Sequence, residues 1–280
     1  MSNQFNKLEI SKIALEYRQR IVQLAKDHSF GIHLGGALSL AEILSVLYFS
    51  IAKLNPDNPD WLDRDRIILS KGHGNVGLLT ILAMKGYFQQ EVLNFFNRLG
   101  SHFSMHPDAR VPGVEHSTGS LGHGLSVSIG MALSAKLDKK SWNVYCILGD
   151  GESMEGSVWE AIMSAGHYQL DNLTAIVDRN GLSQENMTES VMSLEPLAEK
   201  YRAFGWCVKE VDGHDIEALW NAFNAPRNGK PKVIIAKTRK GRGVSDYENM
   251  TKSHFANLTP EQADDALKAI AEEQENLGLK

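Results

Sequence analysis

Cysteine is scarce in this chain: two residues in 280, Cys146 inside an apolar run and Cys207 beside Trp206. That number excludes the disulfide framework of a small secreted domain and fits a reducing compartment. Long apolar runs are missing as well. None approaches the roughly 18 residues of a membrane span, and Met1 to Arg20 mixes Lys, Glu and Arg among its apolar residues, unlike a secretory signal. Charge of one sign is also lacking. The 29 basic and 34 acidic residues leave a net −5, too mild and too mixed for a nucleic-acid footprint or a basic membrane face. The expectation is a cytoplasmic protein with small molecules or proteins as partners, and neither nucleic acid nor membrane. Internal repeats, low-complexity linkers, a Walker loop and a His-Glu-x-x-His zinc motif are absent too.

What remains is ordinary globular material, 42% hydrophobic and 22% charged. Short β-branched runs recur at Arg66 to Leu69, Asn143 to Leu148, Leu173 to Val177, Trp206 to Val211 and Val233 to Lys237. Between them lie segments of helical period, such as Leu121 to Leu137 and Trp159 to Tyr168. The alternation predicts an α/β fold, a doubly wound, mostly parallel sheet with helices on both faces. Leu8 to Leu24 and Leu38 to Ile51 read as amphipathic helices separated by a Gly-rich turn at Gly31 to Gly36. Thr259-Pro260 starts a charged helix, Glu261 to Leu279, with Thr259 as its cap. One α/β domain over 1–258, opened by a helical extension, and a helical tail over 259–280 are expected.

The chemistry concentrates at strand ends. After the run Asn143 to Leu148 stands Gly149-Asp150-Gly151-Glu152, where open parallel sheets bind ligands. The glycines permit a tight turn, and the following helix start offers free N–H groups to a phosphate. An aspartate aimed at phosphates repels them unless a hard divalent cation lies between. The next strand supplies more oxygen donors, in Asp178-Arg179-Asn180-Gly181-Leu182. Asp150 and Asn180, 180 − 150 = 30 residues apart, sit at the tips of sequential strands joined by one helix. Singly, each dipeptide is an ordinary turn. A dinucleotide fingerprint fails because glycine is required where Met154 stands.

The 30-residue spacing with its strand contexts resembles the diphosphate and metal motif of thiamine-diphosphate enzymes. From His28 to His254 the chain resembles the transketolase family, through Ser70-Lys71-Gly72-His73, Gly113-Val114-Glu115, Ser117-Thr118-Gly119-Ser120-Leu121-Gly122-His123-Gly124 and Gly149-Asp150-Gly151 to Glu155-Gly156. The length matches only the diphosphate-binding half of such enzymes. The resemblance therefore implies the N-terminal subunit of a split transketolase, forming a heterotetramer with a complementary subunit that carries the pyrimidine-binding and C-terminal domains. It implies transfer of a two-carbon ketol unit from a ketose to an aldose. The alternatives are a deoxyxylulose-phosphate-synthase-like subunit, a 2-oxoacid dehydrogenase subunit or a noncatalytic interaction subunit.

The same resemblance assigns residues. Asp150, the side-chain oxygen of Asn180 and the carbonyl of Leu182 would hold Mg²⁺ or Ca²⁺. Gly149, Gly151, Glu152, His73 and the segment Ser120, Leu121, Gly122 and His123 would contact thiamine diphosphate, Asn180 serving there too, with backbone donors from the helix starting near Glu155. His33, His106 and His254 would face the donor sugar, and Glu155 and Glu160 would join a proton network across the subunit interface. On one ideal helix those two glutamates lie about 140° apart, so they share a face only if Glu155 stands at the helix entrance. Two places depart from the family. The loop Phe30-Gly31-Ile32-His33-Leu34-Gly35-Gly36 lacks the usual proline, and His123 replaces a glutamine.

Overall fold

A computed structural model of the chain describes residues 5–28 and 31–278. Phe30 of the Gly-rich loop and Leu279 of the C-terminal helix expected from the sequence lie outside the described residues. Five strands, β1 (Arg66–Leu69), β2 (Val144–Gly149), β3 (Leu173–Arg179), β4 (Cys207–Asp212) and β5 (Lys232–Lys237), form one sheet in the order β1-β2-β3-β5-β4. Every pairing is parallel. Ahead of the sheet run α1 (Lys7–Asp27), α2 (Leu34–Leu38) and α3 (Ala41–Val46), the last continuing into a π turn at Leu47–Ile51. Then come α4 (Asn75–Lys85), α5 (Gly124–Leu137), α6 (Gly156–His167), α7 (Thr188–Val191), α8 (Leu197–Ala203), α9 (Ile216–Asn224) and, after β5, α10 (Pro260–Asn276).

Side chains alternate across a strand, so each strand feeds two cores. Ile67, Leu69, Tyr145, Ile147, Ile176 and Ile234 pack with α1, α3, α4, α9 and α10. Ile68, Cys146, Leu148, Val177, Val233 and Ile235 pack with α5, α6 and α8. Right-handed crossovers explain the division. Progress toward β4 places α5, α6 and α8 on one face, and the return from β4 to β5 puts α9 on the other. The chain leaves β3 toward α8 on one face and leaves β5 toward α10 on the other, so the crevice between these neighbours is a topological switch point.

Three expected elements differ. The helix expected over Leu38 to Ile51 is broken at Ser39-Leu40, and the second half of the Gly-rich stretch before it is helical, since Leu34–Leu38 forms α2 behind His33. Local propensity disfavours glycine in a helix, but Leu34 and Leu38 are fully buried, and their burial outweighs it. Gly35 is also required by packing: a Cβ there would lie 2.4 Å from Ser253 Oγ and 2.9 Å from Lys240 Cγ. The helix expected from Leu121 begins only at Gly124, because Gly122 has φ +87°, outside helical geometry.

The charged helix after Thr259 forms as α10. Thr259 and Gln262 make a reciprocal capping box, and Pro260 occupies the first turn. Its buried face, Ala263, Ala266 and Ile270, joins the core that contains α1. Among the described residues no helix is long and apolar enough to cross a membrane.

Candidate functional site

The C-terminal ends of β1, β2, β3 and β5 converge on a pocket of about 360 Å³. Four histidines from four segments line it: His33 at the entrance of α2, His73 after β1, His106 on the long loop before α5, and His254 after β5. Ring centroids lie 5.7 Å apart for His33 and His73, 5.7 Å for His33 and His106, and 5.0 Å for His73 and His254. Nδ1 of His33 is buried without a hydrogen-bond partner, which suits a ligand hydroxyl.

Beneath the pocket, Asp178 is fully buried and collects four donors: Lys71 Nζ, Ser39 Oγ at 2.6 Å, Thr238 Oγ1 and Asn180 Nδ2 at 3.3 Å. Burial alone would raise the Asp178 carboxyl; the Lys71 charge and these hydrogen bonds outweigh it and hold the group below its ordinary value. Lys240 is different. Its Nζ donates to the carbonyls of Ser183 at 2.8 Å and Leu182 at 3.2 Å and lies 3.4 Å from His254 Nδ1, so no carboxylate neutralises it directly. Burial and then the nearby Lys71 lower it to about 8. Desolvation, His106 and Lys240 lower His33 to about 4, and desolvation, Lys240 and His33 lower His254 to about 4. His73 falls well below the ordinary histidine value through burial and Lys71. His33, His73 and His254 are therefore neutral at pH 7.

Asp150, Asn180 and Leu182 line this same pocket. Among the described residues no three His, Cys, Asp or Glu side chains converge as a metal cage. The candidate donor set is one carboxylate, one amide and one carbonyl, which suits a hard cation that takes its remaining ligands from phosphate and water. Cationic groups already rest on two of these oxygens: Arg179 Nη1 on Asp150 Oδ2 at 3.2 Å, and Lys240 Nζ on the Leu182 carbonyl. Burial and Asp178 raise the Asp150 carboxyl, so a cation would favour its ionised form. The residues fit a divalent ion beside a diphosphate.

Of the other expected contacts, Gly149, Gly151 and Leu121 line the pocket. Glu152 lines it too, yet its buried carboxylate is a brace, bonded to Ser70 Oγ, the Gly122 N–H at 2.9 Å and the Gly149 N–H at 3.0 Å. Ser120, Gly122, His123, Glu155 and Glu160 are not in the lining, and all but Gly122 are exposed. The helix start expected to offer donors is likewise outside. Residues Gly151–Met154 first form a 3₁₀ turn, so α6 begins at Gly156 with Glu155 as its N-cap, and the Gly151 N–H already donates to Asp150 Oδ1. Glu155 thus does stand at the helix entrance.

Residues 16–278 match the family model for the transketolase, thiamine diphosphate binding domain. The chain belongs to this transketolase family. It is 43% identical, over 93% of either chain, to an apulose-4-phosphate transketolase subunit of Phocaeicola vulgatus. It is also 43% identical to the 6-deoxy-6-sulfo-D-fructose transketolase subunit SqwG of Clostridium sp. strain MSTE9, over 94% of this chain and 98% of that one. The crystal structure of Campylobacter jejuni transketolase superposes with a TM-score of 0.85 at 34% identity, covering 98% of this chain and 43% of that one. The chain thus spans less than half the length of that solved transketolase.

Within this family frame, sequence reasoning missed Lys71, Lys240, Ser183 and Gln184, all of which line the pocket. Lys71 lies inside the Ser70-Lys71-Gly72-His73 motif. Lys240 carried its own signal, since Thr238-Arg239-Lys240-Gly241 directly follows β5, and the tips of parallel strands are where ligands bind. Ser183 and Gln184 gave none, being ordinary loop residues.

Proposed function

We propose that the chain is the diphosphate-binding subunit of a two-subunit transketolase. With a complementary subunit carrying the pyrimidine-binding and C-terminal domains, it moves a two-carbon ketol unit from a ketose to an aldose. One observation carries this reading: Asp150, Asn180 and Leu182, the candidate cation ligands, line one pocket with Lys240, whose ammonium has no carboxylate within hydrogen-bond reach and donates to the Leu182 and Ser183 carbonyls. A divalent ion and an ammonium in one pocket suit the charge of a diphosphate. That two relatives spanning nearly the same length are transketolase subunits supports the division of labour.

In this reading Asp150, Asn180 and the Leu182 carbonyl hold Mg²⁺ or Ca²⁺. Lys240 and His73 hold the diphosphate of thiamine diphosphate, with Gly149 and Gly151 lining its place. The bound coenzyme supplies a thiazolium ring that accepts the electron pair when the ketose carbon–carbon bond breaks. The chain's own task is to orient. His33, His106 and His254 converge where the sugar enters, and neutral imidazoles such as His33 and His254 can donate to one hydroxyl while accepting from another. Glu155, Glu160, Ser120 and His123 remain exposed and form the face that the partner covers, in a heterotetramer of two copies of each chain. The sugar is a ketose bearing an anionic group, as the relatives' named substrates suggest. Two free thiols, Cys146 buried and Cys207 partly exposed, support a reducing cytoplasm. Region 1–258 carries the pocket, and the helix in 259–280 braces α1.

Assaying ketol transfer with this chain, with the candidate partner and with both tests the proposal. Activity should appear only in the mixture. Full turnover by this chain alone contradicts it.

A further inference from the structure

Outside the pocket lining, Arg18 on α1 and Glu42 on α3 form a buried ion pair. Arg18 Nη2 donates to both carboxylate oxygens, at 2.7 and 2.6 Å, and the side chains are 2% and 5% exposed. Buried pairs of this kind contribute little net stability against a well-packed apolar alternative, which invites another role. Glu42 Oε2 also lies 2.9 Å from Nδ1 of His214, on the turn between β4 and α9, and that imidazole is 6% exposed. On its far side His214 Nε2 lies 2.8 Å from the backbone nitrogen of Arg239. A backbone N–H can only donate, so Nε2 carries the lone pair and Nδ1 carries the proton that Glu42 accepts. The carboxylate fixes the tautomer, and the tautomer accepts the peptide N–H beside Lys240.

The segment around Lys240 is anchored on both sides by other groups. Thr238 N–H donates to the Arg179 carbonyl at 3.1 Å, and Gly241 N–H to the Gly35 carbonyl at 3.1 Å. Between them, the Arg239 peptide has His214 as its acceptor. Gly213 lets the turn approach this closely, since a Cβ there would fall 2.4 Å from Thr238 Cγ2.

We propose that His214, oriented by the Arg18–Glu42 pair, is a positioning residue that sets the Arg239 peptide and through it the place of the Lys240 ammonium in the pocket. This rests on the diphosphate reading of the pocket. It adds to that site a relay running from the helical layer to its cation.

The test is a pair of variants of the full chain. In His214→Asn the shorter amide keeps a donor near Nδ1 toward Glu42 but has nothing at the Nε2 position. In His214→Gln the longer amide reaches that position and can accept from Arg239. Affinity for inorganic pyrophosphate with Mg²⁺, by calorimetry, should weaken about threefold to tenfold in His214→Asn, the size of one lost neutral hydrogen bond, and return to the wild-type value in His214→Gln. Hydrogen exchange of a peptide spanning 238–244 should quicken in the first variant and not in the second. Equal affinity in wild type and His214→Asn overturns the inference. So does an equal loss in both variants, which marks a merely structural role. A wild-type chain that binds no pyrophosphate removes the diphosphate reading itself, and the inference with it.

Discussion

Lys240 Nζ rests 2.8 Å from the carbonyl oxygen of Ser183, held by dipoles where Lys71 is held by the Asp178 carboxylate. Two buried lysines in one pocket thus differ in their partners: Lys71 meets a carboxylate, while Lys240 meets two carbonyls and a histidine nitrogen.

Replacing Lys240 by Met should weaken pyrophosphate binding by about 1.5–3 kcal/mol, the range for a hydrogen bond to a charged group, or roughly ten- to a hundredfold. The wild-type lysine, lowered to about 8, is mostly ammonium at pH 7 and mostly amine at pH 9. Affinity should therefore fall as pH rises through 8, and Lys240→Met should lack that step. Calorimetry at pH 7, 8 and 9 checks both.

Asp150 is the only carboxylate in the candidate donor set. Mg²⁺ with thiamine diphosphate at a hundred times the dissociation constant should stabilise the chain by about 2.7 kcal/mol, read as a rise in melting temperature. EDTA should abolish the rise, and Asp150→Asn, compared with its own ligand-free melt, should show none. A rise that survives chelation would mean that the diphosphate is held without a metal.

The histidine cluster makes stability depend on pH. His33 and His254 are lowered to about 4 in the folded chain, against an ordinary 6.5. Between those values the unfolded chain binds more protons, so stability falls as pH drops from 6.5 toward 4 and flattens below. Above 6.5 this contribution has no slope. Melts at pH 7.5, 5.5 and 4.5 should show the decline, and a His33→Asn, His254→Asn double variant should decline less. Identical curves would show that other groups set the acid limit.

Lys71 and Asp178, 1% and 0% exposed, form a pair sealed in the sheet edge. Asp178→Asn leaves a buried ammonium uncompensated and should cost about 3–5 kcal/mol. Lys71→Met combined with Asp178→Leu removes the unpaired charge and should recover part of that loss while still impairing pyrophosphate binding, because Ser39, Asn180 and Thr238 lose their common acceptor. Denaturant unfolding of the single and double variants separates the two effects.

Glu160 is exposed on α6. Its replacement by Ala should change stability by no more than about 0.5 kcal/mol and leave pyrophosphate affinity intact, yet lower ketol transfer in the mixture with the partner subunit. Unchanged turnover would remove Glu160 from the interface network.

By itself the sequence determined the sheet and the place of Asp150 and Asn180 at neighbouring strand ends. All five strands lie within two residues of their β-branched runs, because an apolar run bounded by turn residues has few other stable fates in a chain of this composition. Asp150 and Asn180 were legible for the same reason: a strand end fixes where the next side chains go, and one crossover brings neighbouring strand ends together. What only the tertiary structure decided came from residues remote in sequence. The break between α2 and α3, the helical state of Gly35 and Gly36, the neutrality of His33 beside Lys240, and the difference between Lys71 and Lys240 all depend on which charges and carbonyls the fold carries into one low-dielectric space. No local pattern encodes that, because burial and Coulomb energies are set by distance in space and not by separation along the chain.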